Sequence, residues 1–470
     1  MKQYLLIAVY VALSWSGHAQ SVIPESRWAQ MQDYMSAQKD FSGTLLAASG
    51  GQIRILRGYG LAERSKNIPV TEQTLFDIGS ITKSFTATAI LKLMEAGKLK
   101  PEDPISRYFS DVPADKKDIT LHQLLTHSAG MPDAIGRDYA AISAEEFLRQ
   151  TWAEPLAFPP GKGYQYSNVG YSILGILLER LSGQRYGDFL REQVFQPAGM
   201  TTAGYHAPAA KEQNIAHGYR RDGEDWGRPT DKKWDGQEPY WHLKANGGLL
   251  MSATDMYQWY LALRNHTVLK PESLALQTSP LVDEGGGQSF YGYGLVSTDS
   301  GQCIQHNGGN GIFKADFKWY PGLDVVIFAA SGDANVRLFA LTDGLQHILL
   351  TGEMPEQADW KPLDLQRFPA NSREQTAQAM MHMLAQYSEA AGSAFLEQHC
   401  TPGFLKRNEK AQMLRFFEMM SKDARWDGLE SLSEAEGRLL LVAKAGGGGR
   451  LKLTMIFEGD KMDKMQAELE

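Results

Sequence analysis

The apolar and polar positions change period several times along the chain. Residues Ile23 to Gln38 carry a helical pattern, followed by two β-like runs, Thr44 to Ala48 and Gln52 to Gly58. Ser49-Gly50-Gly51 lies between the runs and predicts a tight antiparallel hairpin. From Ile81 to Ala96 the pattern is helical again. Ile81, Phe85, Ala89, Ile90, Leu93 and Met94 cover most of that helix's surface, so it is expected to be buried, ending at Gly97. Between about Pro104 and Tyr291 come short helical patterns, many aromatics and Pro/Gly-rich loops. Strand patterns return at Gln302 to His306, Phe313 to Tyr320 and Asp324 to Ser331, the last two joined by Pro321-Gly322. A closing helix fits Val336 to Thr351. Strands at both ends of a helical middle imply a mixed α/β (α+β) fold: one antiparallel sheet assembled from both ends of the domain, flanked by helices, with an inserted all-helical lobe.

The chain divides further. Residues 352–371 hold three prolines and little periodicity, which predicts a linker, and 372–470 read as a small α+β domain. In that domain, helical patterns at Glu374 to Ala390 and Lys410 to Met420 precede strands at Arg438 to Ala443 and Arg450 to Phe457, which are split by four glycines. At the other end, Lys2, an apolar run from Tyr4 to Trp15 and the small residues before Gln20 predict a signal peptide over 1–19. That run is too short to cross a bilayer as a helix. The expected mature protein is exported, periplasmic or secreted, with no membrane span, and its main domain covers 20–351.

Charge and cysteine usage exclude some function classes. A net charge of -8 with no basic stripe argues against nucleic acid as a partner. Two cysteines, Cys303 and Cys400, give no disulfide framework, and their pairing is left open. The eleven histidines include no His-Glu-x-x-His, and His122 and His127 are five apart, off a common helical face. No metal and no cofactor is expected.

The candidate chemistry begins at Ser80-Ile81-Thr82-Lys83. A Ser-x-x-Lys pattern is weak by itself, and Ser36-Ala37-Gln38-Lys39 matches it with nothing catalytic around it. Ser80 differs in following Gly79 at the start of the buried helix, where unpaired N–H groups and the helix dipole favour negative charge on oxygen. Lys83, one turn on, reaches the same face, and burial lowers the pKa of such an amine toward that of a base. Tyr166-Ser167-Asn168 follows Pro159-Pro160-Gly161; a phenol beside a lysine can shuttle protons, and the amide can bind a substrate carbonyl or hold Lys83. His306-Asn307-Gly308-Gly309 ends a strand pattern, and the Gly309 N–H joins the Ser80 N–H as a candidate oxyanion hole, with His306 lining the pocket edge.

In this order, the three elements resemble the Ser-x-x-Lys, Tyr-x-Asn and Lys-Thr-Gly-type motifs of the serine β-lactamase and D-Ala-D-Ala carboxypeptidase superfamily, nearest its class C branch and related esterases. The flanks Phe76 to Gly79, Leu124 to Pro132, Val169 to Tyr171, Pro197 to Met200 and Gly247 to Ser252 resemble family segments too, and the similarity runs from about Ser21 to Thr351. It implies a β-lactamase/transpeptidase-like fold and a serine hydrolase acting through a covalent acyl-enzyme. Ser80 is then the nucleophile, Lys83 and Tyr166 the acid and base system, Asn168, His306 and Asn307 substrate contacts, and Ser80 and Gly309 the oxyanion donors. The departure is His306, where the family often has Lys: a side chain mostly neutral at pH 7 anchors a substrate carboxylate poorly. Esters, amides or peptides, with D-amino acids among them, thus stand ahead of β-lactams or D-Ala-D-Ala. A non-catalytic peptide or cell-wall binder is the alternative of another class.

Overall fold

A computed structural model describes residues 23–206, 212–285, 287–355, 361–362, 372–408, 410–423, 429–435, 438–444 and 450–469. The segment read as a signal peptide, most of the stretch read as a linker, and the four-glycine run lie outside these residues. The chain forms two units, one of residues to Glu284 with Gln288–Pro355, the other of Gly285–Gly287 with Glu356–Glu470.

The first unit opens with helix α1 (Glu25–Ala37) and the hairpin β1 (Gly43–Ser49) to β2 (Gln52–Tyr59). Gly50 and Gly51 have φ of 59° and 72°, the left-handed pair that a two-residue hairpin turn requires. Helix α2 (Thr82–Glu95) and helix α3 (Asn168–Ser182) form the centre of a largely helical body, which also holds short strand pairs such as Phe76–Asp77 with Leu250–Met251. The chain then returns to the sheet through β3 (Val282–Asp283), β4 (Phe290–Tyr291), β5 (Val296–Thr298), β6 (Cys303–Gly309), β7 (Lys314–Tyr320) and β8 (Val325–Ser331), and closes with α4 (Leu338–Thr351). The eight strands run in the order β2-β1-β8-β7-β6-β5-β4-β3, every pair antiparallel. The pairing of β1 with β8, Thr44 opposite Ala330, joins the two ends of the domain as the sequence pattern implies. Strands β3 to β5, two or three residues long, give no periodic signal of their own.

Alternation explains why β8 is buried along its whole length. Val326, Phe328 and Ala330 point into the core shared with α2 and α3, while Val325, Ile327 and Ala329 point into a second core under α1 and α4. Both faces are covered, so the strand reads as a continuous apolar run and the sheet is a rigid wall against which the site is built.

The second unit is a helical group, Ser372–Ala385, Glu389–His399, Pro402–Arg407 and Lys410–Asp423, with a five-stranded antiparallel meander. Lys361–Pro362, inside the stretch read as a linker, is the first strand and pairs with Glu434 and Ser433. The last strand, Lys461–Leu469, looks unlike a strand because Met462 and Met465 are three apart. A register shift opposite Ile456 and Phe457 accommodates the extra residue, so that Met462 is buried in the unit's core and Met465 packs against it. Cys303 and Cys400 lie in different units, each a buried free thiol. Among the described residues no helix is long and apolar enough to cross a membrane.

Phe328 is fully buried at the centre of the sheet. Phe328→Ala is expected to destabilise the first unit by roughly 3–5 kcal/mol, read as a fall in the midpoint of its urea transition.

Candidate active site

The turn before α2 is shaped by Asp77. This side chain is buried; its Oδ1 accepts the Gly79 N–H at 2.8 Å and its Oδ2 accepts the Asn310 amide at 3.0 Å. Burial raises its carboxyl to about 6. Gly79 has φ of 51°, and a Cβ there would stand 2.4 Å from the Gly309 nitrogen. A Cβ on Gly308 would stand 2.0 Å from the Ile78 oxygen. The Ile78–Ser80 turn and the end of β6 therefore meet backbone on backbone, which two glycines permit. Ser80 sits in the 3₁₀ turn Gly79–Ile81 that runs into α2, with the Ser80 and Gly309 N–H groups on adjoining segments.

Lys83 occupies the first turn of α2 at 0% exposure. Its Nζ lies 3.0 Å from Ser80 Oγ, 2.7 Å from Asn168 Oδ1 and 2.7 Å from the Asn246 carbonyl oxygen. Desolvation lowers the amine from 10.5 to about 7, outweighing the upward pull of Asp133 and Asp138. The Lys83 Nζ is 4.8 Å from the centre of the Tyr166 ring, and the Tyr166 phenol is hydrogen-bonded to Ser80. Burial raises the Tyr166 pKa, keeping it a neutral phenol, even though the bond to Ser80 acts the other way.

The cap of α3 is Ser167, whose Oγ accepts the Gly170 N–H at 3.0 Å and donates to the Pro132 oxygen at 2.7 Å. Asn168, the first residue of α3, bridges: its Oδ1 accepts from Lys83 and its Nδ2 donates to Asp133 Oδ1 at 3.0 Å. His306 lies within β6 rather than at its end, 4% exposed, with Nε2 3.0 Å from the Tyr291 hydroxyl. Burial and the nearby Lys83 lower it to about 3, so it is neutral. Asn307, the next residue along β6, is exposed.

Ser80, Tyr166, His306, Asn307 and Gly309 line one cleft of about 510 Å³, completed by Glu284, Ser289, Tyr291, Val296, Gln305 and Gly308. Lys83 and Asn168 stand behind Ser80. Sequence reasoning passed over four contributors: Asp77, Asn246, Tyr291 and His127. His127 is buried with φ of 58°, its Nδ1 accepts the Ser167 N–H at 3.1 Å, and its ring lies 4.3 Å from those of both Tyr166 and Tyr291. Burial holds it far below the usual imidazole range and thus neutral. A signal existed, since His127 falls inside the Leu124 to Pro132 segment, but nothing local distinguishes a ring that packs against the Tyr166 phenol from any core histidine. Among the described residues no group of three His, Cys, Asp or Glu side chains is arranged to hold a metal ion.

A serine hydroxyl, a buried amine and a phenol converge beside the antiparallel sheet, and comparison with known proteins assigns the family. The Beta-lactamase family model matches residues 29–337, and the chain belongs to that family. The chain is 27% identical over 395 residues to Penicillin-binding protein 4* of Bacillus subtilis (strain 168), covering 80% of this chain and 84% of that protein. The crystal structure of a penicillin binding protein from Bacillus halodurans superposes with a TM-score of 0.59 at 27% identity, covering 68% of this chain and 98% of that one. The octameric penicillin-binding protein homologue from Pyrococcus abyssi shares the fold at a TM-score of 0.61 and 18% identity, over 94% of this chain and 99% of its own.

Gly308→Ala is expected to push the Ile78–Ser80 turn off β6 and lower labelling of Ser80 by a fluorophosphonate probe by about 100-fold, the scale of a 1 Å misplacement. Labelling at the wild-type rate would mean that the two segments do not need their close approach.

Proposed function

We propose that this protein is an exported serine hydrolase that cleaves esters, amides or peptides, including ones containing D-amino acids, through an acyl-enzyme on Ser80. The coordination of Lys83 carries this reading. A neutral amine has two N–H donors and one lone pair; with Asn168 Oδ1 and the Asn246 oxygen each accepting at 2.7 Å, the lone pair faces the Ser80 hydroxyl at 3.0 Å. An amine held near 7 is neutral often enough at physiological pH to act as the base.

In the first half-reaction Ser80 Oγ bonds to the substrate carbonyl carbon while its proton passes to Lys83 Nζ. The carbonyl oxygen, now an anion, is met by the Ser80 and Gly309 N–H groups; one such donor is worth about 10²–10³ in rate. Tyr166, kept protonated by burial, gives its proton to the departing oxygen or nitrogen and regains one from Lys83. Water then attacks the acyl carbon, and Ser80 is released by the reverse transfers. The neutral His306 gives no charge to hold a β-lactam carboxylate, which favours the esterase and peptidase readings over β-lactamase. Slow or absent nitrocefin turnover is the corresponding expectation.

Ser80→Ala is expected to abolish turnover of p-nitrophenyl acetate, while Ser36→Ala, on an exposed face of α1, leaves it intact. Activity in both variants would refute the assignment. Intact-mass measurement after a slow acyl donor separates this enzyme from a binder, since a pure binder gains no covalent mass.

The Lys83 value sets the pH profile. The active form is the neutral amine, whose fraction falls about tenfold per pH unit below its pKa, so kcat/KM should climb up to about pH 7 and then level. The raised Tyr166 pKa predicts no loss from phenolate formation up to pH 9. A rate independent of pH between 5 and 8 would rule out Lys83 as the base.

A further inference from the structure

Of the side chains lining the cleft, Glu284 is the one Asp, Glu, Lys or Arg among the described residues. It follows β3 in the hairpin to β4, and its orientation is fixed from two sides. The Tyr164 hydroxyl donates to its Oε1 at 2.6 Å and the Ser289 hydroxyl donates to its Oε2. A carboxylate offers about four acceptor sites, so these two bonds leave capacity for a ligand. The field of Glu284 extends to the reacting groups, since it helps raise the Tyr166 phenol. His306, in the same cleft, is uncharged and supplies nothing to neutralise a substrate anion.

We infer that Glu284 selects the substrate by charge: the cleft takes acyl donors that carry an ammonium group, such as amino-acid esters or peptides with a free amine, ahead of neutral or carboxylate-bearing ones. The inference rests on the serine-hydrolase reading and narrows its substrate class. A cation and a carboxylate in contact at a partly buried site attract by several kcal/mol before desolvation is subtracted, enough to leave a tenfold preference.

The test uses the full chain and two p-nitrophenyl esters of equal shape, 4-(trimethylammonio)butanoate and 5,5-dimethylhexanoate; the first bears a fixed positive charge that cannot attack its own ester. Wild-type kcat/KM is expected to favour the cationic ester by about tenfold or more, taking the attraction above. Glu284→Gln, which keeps an acceptor for Tyr164, should bring the ratio of the two esters to within about twofold, and Glu284→Lys should reverse it. If the lysine variant does not fold, the glutamine ratio decides. Equal rates for the two wild-type esters, or a ratio unchanged by Glu284→Gln, overturn the inference while Ser80-dependent turnover keeps the hydrolase reading. If Ser80→Ala turns over both esters like wild type, the hydrolase reading itself has failed, and this inference with it.

Discussion

The desolvation of one lysine amine governs the architecture of this site. An ammonium with no exposed surface is unfavourable unless its hydrogens are all accepted, and here the acceptors come from three separate parts of the chain: Ser80 in the turn before α2, Asn168 at the start of α3, and the Asn246 carbonyl. Each is held by something else. Ser167 caps α3 and frees the Asn168 amide to bridge Lys83 and Asp133, and the Asn246 side chain donates to Ser172 Oγ and to the His242 oxygen. Three acceptors would match an ammonium, but burial favours the uncharged amine and outweighs the pull of Asp133 and Asp138, which brings the amine down to about 7. An amine near 7 is present in both protonation states around physiological pH.

The rings beneath the cleft respond to the same amine. Tyr166, Tyr291, His127 and His306 form a packed group in which both imidazoles are pushed toward neutrality by burial and by Lys83. A protonated imidazole there would stand against the lysine, so keeping both rings neutral reserves the one mobile positive charge for the amine. Asp77 links this chemistry to the sheet by joining the Gly79 turn and Asn310.

Much of this was legible in the sequence because it follows from period and local stereochemistry. The Gly50-Gly51 hairpin, the apolar strand β8 and the buried helix after Ser80 each have one dominant cause, and the sheet built from both ends followed from them. The decoy Ser36-x-x-Lys39 shows the limit of a motif: it has the right spacing, yet Ser36 is exposed in the last turn of α1 and Lys39 lies exposed beyond the helix end. What the sequence hid depends on distant partners. Strands β3 to β5 are too short to show a period and exist because β6 offers an edge. The bulged last strand of the second unit disguises its alternation, and the strand at Lys361–Pro362 is recruited by a partner some seventy residues later. His127, Asn246 and Tyr291 reach the site from three loops or strands, and no local pattern marks them.

The placement of β1 beside β8 has a consequence for how the molecule is made. Thr44 finds Ala330 only after nearly the whole first unit has left the ribosome, so the central ladder cannot form during most of synthesis. Until then the hairpin of β1 and β2 presents an open apolar edge. The central ladder therefore closes only once the helical body between its two halves has been synthesised.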